Sequence, residues 1–542
     1  MGSVLEDFSE GPPAFLAVSW PCILSMIASR AAKLLLQSAC MFRKVLIANR
    51  GEIAVRLVRA LREMEITSVA VFSDADRGSL HVRLADEAEH IGPSPSAESY
   101  LNIDRILAAA RKHGAEAIHP GYGFLSENAT FAAACEAAGI TFIGPSAETI
   151  RRLGSKTAAR ILAKQASVPV VPGSEEPATN IENARKLARH LGYPVLLKAA
   201  AGGGGKGMRR VNAEAELESA IRDASSEAER AFHNSEVYIE KVIEFPRHIE
   251  IQIAGDRFGN MVYLGERECS LQRRHQKIIE ECPSPLVARK PEMRSQMGDA
   301  ALRIARAAKY HNLGTVEFLS DQHGNFYFLE VNTRLQVEHP VTELVTGLDL
   351  VQLQLRIAAG EALPFTQDDV RFRGWAMECR VCAEDPENQF FPSPGKIVQL
   401  REPSGPGVRL DSGVYPGWTV PLEYDPLLAK LVTWGPDRHS AIRRLDRALA
   451  EYAILGVETN VEFFREILHD PEFQRGALHT GFIAELLARR KPEEPPAPGT
   501  DLAVALAAAA GYTRKAAPKA NGSNGSKSSS NWLAEGRGHR LR

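Results

Sequence analysis

Cysteine is scarce in this chain, with seven in 542 residues, at positions 22, 40, 135, 269, 282, 379 and 382. That sparse, irregular spacing excludes a secreted disulfide scaffold and fits a reducing, cytoplasmic interior. Neither charge is in surplus: 65 Lys and Arg face 67 Asp and Glu, for a net charge of -2. Nothing global therefore favours nucleic acid or an anionic membrane as partner. The dinucleotide fingerprint G-x-G-x-x-G is missing after the first strand, where only Gly51 follows "ANR", which argues against a nicotinamide dehydrogenase. The one C-x-x-C, Cys379 and Cys382, has no second pair to complete a metal site. Its surroundings, "AMECRVCAED", read as a strand in which positions three apart face opposite ways, so we expect two buried cysteines.

Long apolar runs are also scarce. Residues 12–29 carry no charge, but Pro12, Pro13 and Pro21 interrupt them, and Glu6 and Asp7 precede them where a signal or transit peptide would be basic. We expect residues 1–40 to be a dispensable leader. The remaining length divides into roughly three or four domains.

From Met41 the pattern alternates. "KVLIAN" (44–49) reads as a buried parallel strand, 51–64 as an amphipathic helix and "SVAVFS" (68–73) as the next strand. Strands at "EAIHP" and "ITFIGP" and helices at 99–113 and 126–138 complete a doubly wound α/β layout. The turn "HPGYGFLSEN" (119–128) has two readings. Ser126 and Glu127 open a helix, or the turn, at the carboxyl end of a parallel strand, meets a ligand.

A strand, "PVLLK", ends on Lys198 and enters four glycines, Gly202 to Gly205, followed by Lys206 and Gly207. Glycines let backbone amides approach phosphate oxygens, and let a loop open and close over them. The Walker pattern fails, since position 200 is Ala and position 207 is Gly. Further on, "RHIEIQI" and "NMVYLGE" alternate as strands about a turn at "GDRFG", and "QRRHQK" gathers Gln272, His275 and Lys277. Glu317 lies on a strand that turns at "DQHGN" into the strand bearing Glu330. Two carboxylates on neighbouring strands suit a hard cation carried with phosphates. In "FLEVNTRLQVEHP" (328–340) Glu330, Asn332, Arg334, Gln336 and Glu338 occupy alternate positions. An extended strand would turn all five to one face, and such planar, multidentate groups suit a ligand better than water.

"VLIANRGEIA", "HPGYGFLSEN", "KAAAGGGGKGM", "ERECSLQRRHQK" and "EVNTRLQVEHPVTE" resemble, in order, the motifs of biotin carboxylase, an ATP-grasp family, from about Met41 to about residue 485. The resemblance implies an α/β and α+β multidomain protein. Its parts would be a doubly wound α/β domain (41–154), an ATP-grasp fold (155–365) with a mobile lid at about 171–240, a C-terminal α+β domain (374–485) and a linker-like tail (486–542). It assigns Lys156 and Lys198 to the ATP phosphates, Gly202, Gly203, Gly204, Gly205, Lys206 and Gly207 to the lid, and Glu240, Lys241 and Ile243 to adenine. His248, Gln272 and His275 are further nucleotide-site residues. Glu317 and Glu330 are implied ligands of magnesium or manganese, with Asn332 beside them. Lys277, Arg334, Gln336 and Val337 would hold bicarbonate, Glu338 would be the general base, and Arg380 would stand near biotin's ureido oxygen. Ala201 takes the place of one lid glycine, so lid kinetics should differ slightly.

No Met-Lys-Met biotinylation signal occurs in the sequence. The expected partners are therefore a separate biotin carrier protein and a carboxyltransferase, with a homodimer as assembly and no nucleic acid or membrane. The resemblance leans toward an acyl-coenzyme A carboxylase. The alternatives are the biotin carboxylase component of a pyruvate carboxylase and another ATP-grasp ligase.

Overall fold

The computed structural model describes residues 41–490 apart from 175, 176, 179, 200–207 and 233. The expected leader, the glycine run with Lys206, and the tail beyond 490 thus lie outside the described residues.

Buried runs of Val, Leu, Ile and Ala form a five-stranded parallel sheet from β1 (Lys44–Ile47), β2 (Thr67–Ser73), β3 (Glu87–Gly92), β4 (Ala117–His119) and β5 (Thr141–Phe142), in the order β3-β2-β1-β4-β5. β3 escaped the sequence reading because "EAEHIG" is polar and lies at the sheet edge. Helix α1 (Gly51–Glu63) covers the sheet with Ile53, Leu57, Val58 and Leu61. Strand order reverses between β1 and β4, and there the Asn49 amide donates to the carbonyls of Pro120 and Tyr122 at 2.7 and 2.8 Å. This ties "HPGYG" to the crevice where doubly wound sheets bind ligands. Ser126 does not cap the following helix α2 (Ala129–Ala137). Asn128 does, accepting from Phe131 N, which leaves Glu127 free of helix duty.

After α3 (Lys156–Gln165) and α4 (Ile181–Leu191), a small antiparallel sheet forms from β6 (Val195–Ala199), β7 (Met208–Val211) and β8 (Val237–Lys241), in the order β7-β6-β8. Val195 and Leu197 pack with Leu217 and Ile221 of α5 (Glu214–Phe232). By alternation, Leu196 and Lys198 face the other way.

The largest sheet is antiparallel throughout. Its strands are β9 (Arg247–Gly255), β10 (Met261–Arg273), β11 (Gln276–Cys282), β12 (Asn312–Ser320), β13 (Phe326–Asn332), β14 (Trp375–Cys382), β15 (Val408–Ser412) and β16 (Leu427–Gly435), in the order β13-β12-β9-β10-β11-β14-β16-β15. Helix α6 (Glu292–Ala307) packs closely on β10: a Cβ added at Gly298 would stand 2.6 Å from the Tyr263 ring. The sheet runs unbroken across the boundary expected near 374.

The five-residue alternation is not one strand. β13 ends at Asn332, residues 333–338 turn away, and helix α7 (His339–Thr346) follows with Pro340 in its first turn. A long-range contact marks the exit: the Thr333 N–H donates to the Glu127 carboxylate at 2.8 Å instead of continuing the ladder. Among the described residues no helix is long and apolar enough to cross a membrane.

Candidate active site

Register builds the site. Glu330 lies opposite Glu317, Glu317 opposite Glu250, and Glu250 opposite Arg267 across β13, β12, β9 and β10, so the four share one face of the sheet. Arg267 and Glu250, both fully buried, pair at 2.5 Å. Lys277, the second residue of β11, reaches back over this row. Its ammonium donates to Glu250 (2.6 Å), Glu317 (2.9 Å) and Glu338 (2.7 Å). β10 and β11 meet at Arg274 and His275, both with positive φ (50° and 65°), a conformation hairpins usually give to Asn-Gly. Strained backbone of this kind concentrates at functional sites.

Loop 333–338 supplies the far side. Arg334 donates to Glu127 (2.9 Å), to Gln336 Oε1 (2.8 Å) and to Asn332 Oδ1 (3.2 Å), while Asn332 Nδ2 donates to Glu317 (2.8 Å). Arg380, on β14, bonds Glu338 Oε2 through Nη2 (2.9 Å) and Glu280 Oε1 through Nε (2.7 Å). Burial alone would raise the Glu338 carboxyl, but Lys277, Arg380 and Arg267 outweigh it and hold the group well below the usual carboxylate range. Glu317 is likewise held low, with Lys277 and His248 overcoming burial. His248 Nε2 stands 2.8 Å from Glu317 Oε2, and the Gln272 amide nitrogen stands 2.7 Å from His248 Nδ1.

A cavity of about 1100 Å³ opens onto these groups. At one end Val171, Leu196, Leu319 and Phe328 form an apolar slot beside Lys198 and Glu240, which pair at 2.5 Å, with Arg160 on the other Glu240 oxygen at 2.9 Å. At the other end stand Arg334, Gln336, Val337 and Arg380.

The structure brings together Lys198, Glu240, His248, Gln272, His275, Lys277, Glu317, Glu330, Asn332, Arg334, Gln336, Val337 and Arg380, all on the cavity wall. Glu338 is fully buried and is held by Lys277 and Arg380, both of which are on the cavity wall. Lys241 and Ile243 are not on the wall; the Lys241 amine is turned to the Gly192 carbonyl at 2.6 Å. Lys156 begins α3, and its side chain lies outside the described residues, as do Gly202, Gly203, Gly204, Gly205, Lys206 and Gly207. Cys379 is buried, but Cys382 is only half-buried and lines the cavity, which corrects the expectation of two buried cysteines.

Sequence reasoning missed Glu250, Arg267 and Glu280, and left Glu127 open between a helix start and a ligand-facing turn. Glu250 was within reach, standing two residues from His248 in the alternating "RHIEIQI". Arg267 was hidden by the register shift between Tyr263 and Glu266 in the β9–β10 pairing, and Glu280 by its dependence on Arg380, 100 residues away.

Glu317, Glu330 and Asn332 offer hard oxygen donors on adjoining strands, the donor chemistry that divalent magnesium or manganese takes with phosphates. A small three-stranded sheet above an apolar slot, with a strand-end lysine and paired carboxylates below, defines a nucleotide-dependent ligase of the ATP-grasp class. Family models match three stretches in succession: Biotin carboxylase, N-terminal domain, at 41–150; Carbamoyl-phosphate synthase L chain, ATP binding domain, at 155–366; and Biotin carboxylase C-terminal domain at 378–485. The chain is 52% identical over 444 residues to biotin carboxylase 1 of Bacillus subtilis, covering 82% of this chain and 98% of that one. It is 53% identical over 445 residues to a biotin carboxylase of Nostoc, covering 82% and 99%. A crystal structure of the biotin carboxylase domain dimer of Hydrogenobacter thermophilus 2-oxoglutarate carboxylase, in complex with MgADP, ADP and bicarbonate, superposes with a TM-score of 0.78 at 46% identity, over 84% of this chain and all of that one. The chain belongs to the biotin carboxylase family and is an ATP-dependent ligase.

Proposed function

We propose that this chain carboxylates biotin on a separate carrier protein, using ATP and bicarbonate by way of carboxyphosphate, as the first half-reaction of an acyl-coenzyme A carboxylase. The observation that carries the chemistry is Glu338 clamped between Lys277 and Arg380, with Lys277 shared with Glu317 of the carboxylate pair. Lys198, with Lys156, binds the ATP phosphates, and the slot of Val171, Leu196, Leu319 and Phe328 receives adenine. Glu317 and Glu330, with Asn332, would hold the divalent cation, which supplies neutralisation of phosphate charge when bound.

Arg334, Gln336 and the Val337 backbone orient bicarbonate against Lys277. Its negative charge draws Lys277 and Arg380 away from Glu338, so the carboxylate regains proton affinity as its substrate arrives. Glu338 takes the bicarbonate hydroxyl proton. The freed oxygen bonds the γ-phosphorus as the bond to the bridging oxygen breaks, and ADP leaves with that electron pair. Carboxyphosphate then divides at its carbon–oxygen bond into carbon dioxide and phosphate. Phosphate takes the proton from a biotin ureido nitrogen, Arg380 stabilises the negative oxygen, and the nitrogen bonds carbon dioxide.

We assign the carrier role to another polypeptide by analogy with the Bacillus subtilis and Nostoc biotin carboxylases, of whose own lengths this chain covers 98% and 99%. The free thiols of Cys135, Cys269, Cys282, Cys379 and Cys382 suit a cytoplasmic location. The purified chain should hydrolyse ATP only with bicarbonate and magnesium, and faster with biotin. Bicarbonate-independent hydrolysis would overturn the reading. Pairing the chain with its carrier and carboxyltransferase, then comparing acetyl-coenzyme A with pyruvate as acceptor, tests the acyl-coenzyme A assignment; turnover of pyruvate alone would refute it.

A further inference from the structure

Lys430, on β16, is fully buried yet belongs to none of the groups assigned above. Its ammonium donates to the backbone carbonyl of Val337 at 3.0 Å. Three carboxyl groups surround it: Glu52 of α1 at 3.3 Å, Asp411 of β15 at 3.8 Å, and buried Glu378 on β14. The Tyr122 ring, from the turn after β4, stands 5.6 Å away. Asp411 is already held by Arg409 through Nε at 3.0 Å and Nη2 at 2.8 Å, and neither Glu52 oxygen is in hydrogen-bonding geometry with any group. The directed bond of this ammonium is therefore to the loop.

That bond has a partner next to it. The Gln336 carbonyl accepts from His339 Nδ1 at 2.8 Å, so two successive carbonyls of the loop are held from behind. The side chains on either side of Val337 reach the opposite way, Gln336 Nε2 to Glu317 at 3.4 Å and Glu338 Oε1 to Lys277 at 2.7 Å. We propose that Lys430 is a positioning residue for the bicarbonate pocket, fixing the Val337 carbonyl and through it the placement of Gln336 and Glu338. A lysine on β16 thereby ties the pocket loop to the C-terminal part of the fold, with Glu52 of α1 supplying charge beside it at 3.3 Å. The inference rests on the bicarbonate reading above.

Lys430→Met retains most of the length of the side chain and removes the donor. A charge-assisted hydrogen bond of this kind corresponds to at least about a tenfold effect. The variant should raise KM for bicarbonate by about tenfold or more, leave KM for ATP within about twofold, and release phosphate with less carboxybiotin formed. Because the substitution leaves buried carboxyls without their cation, the double variant K430M/E52Q removes the charge pair together and should show the same split. A bicarbonate KM near the wild-type value, or equal rises in both KM values, would overturn the proposal, and failure of both variants to fold would mark Lys430 as a fold element only. Wild-type enzyme lacking any bicarbonate dependence would instead strike at the functional reading itself.

Discussion

Arg380 Nη2 lies 2.9 Å from Glu338 Oε2, so the proposed base of the first chemical step is held by the proposed charge stabiliser of the second. Held this way, and with Lys277 on its other oxygen, Glu338 is a weak base. On the proposed mechanism, bicarbonate entering between the cations relieves that grip, which would couple base strength to the presence of substrate. A site working this way should cleave little ATP while bicarbonate is absent.

The Glu317 and Glu330 pair should govern metal dependence. Glu317→Gln and Glu330→Gln should each raise the magnesium concentration needed for half-maximal ATP cleavage and lower turnover by roughly two to four orders of magnitude. Magnesium titration at saturating ATP is the measurement, and curves superimposable on wild type would refute the assignment. Glu317→Gln should also lower the melting midpoint, because Lys277 and His248 lose a charged partner.

Glu378 supplies a pH test. It is fully buried with neither oxygen hydrogen-bonded, and burial pushes its carboxyl well above the ordinary value of 4.5, Lys430 opposing. Above that ordinary value the unfolded chain binds fewer protons than the native one, so stability falls as pH rises toward the raised value. Glu378→Gln has no proton to lose. Its melting midpoint should exceed wild type at pH 8 by a few degrees, roughly 1–3 kcal/mol, with the gap closing at pH 5. A gap that is constant or reversed would show Glu378 ionised in the native state.

Much of this site was readable before folding, and what was not has a common cause. Alternation assigns side chains to a face, and the turn "DQHGN" makes β12 and β13 neighbours, so the Glu317 and Glu330 pairing followed directly. Alternation does not say where a strand stops. The exit at Thr333 depends on Glu127, 206 residues away in sequence. Nor does it show a bulge such as the one between Tyr263 and Glu266, which shifts the β9–β10 register and hid Arg267 behind Glu250, or the register of strands joined by long connections, which hid Glu280 behind Arg380 and Lys430 beneath Val337.

Glu127 should matter through Arg334. It accepts from Arg334 Nε at 2.9 Å and from Thr333 N at 2.8 Å, but it is 38% exposed, so solvent screens the ion pair. Glu127→Gln should raise KM for bicarbonate roughly three- to tenfold, the equivalent of about 1 kcal/mol, with KM for ATP little changed. Steady-state kinetics with either substrate varied will decide, and a rise confined to ATP would place Arg334 in the nucleotide site.

The two chemical steps separate at Glu338 and Arg380. Glu338→Gln keeps the shape and removes the base, so bicarbonate-dependent ATP cleavage and biotin carboxylation should fall together, by roughly two to four orders of magnitude. Arg380→Ala removes a charge needed when the ureido oxygen turns negative, and it also releases Glu338 from one of its cations. ATP cleavage should therefore persist at a substantial rate while carboxybiotin formation collapses. Phosphate release and labelled bicarbonate fixation, measured in parallel, give the ratio directly. Equal losses in both assays would move Arg380 to bicarbonate activation or to folding. A melting curve for Arg380→Ala tells those two apart, since Arg380 also holds buried Glu280 at 2.7 Å and its loss leaves that carboxyl without a cation.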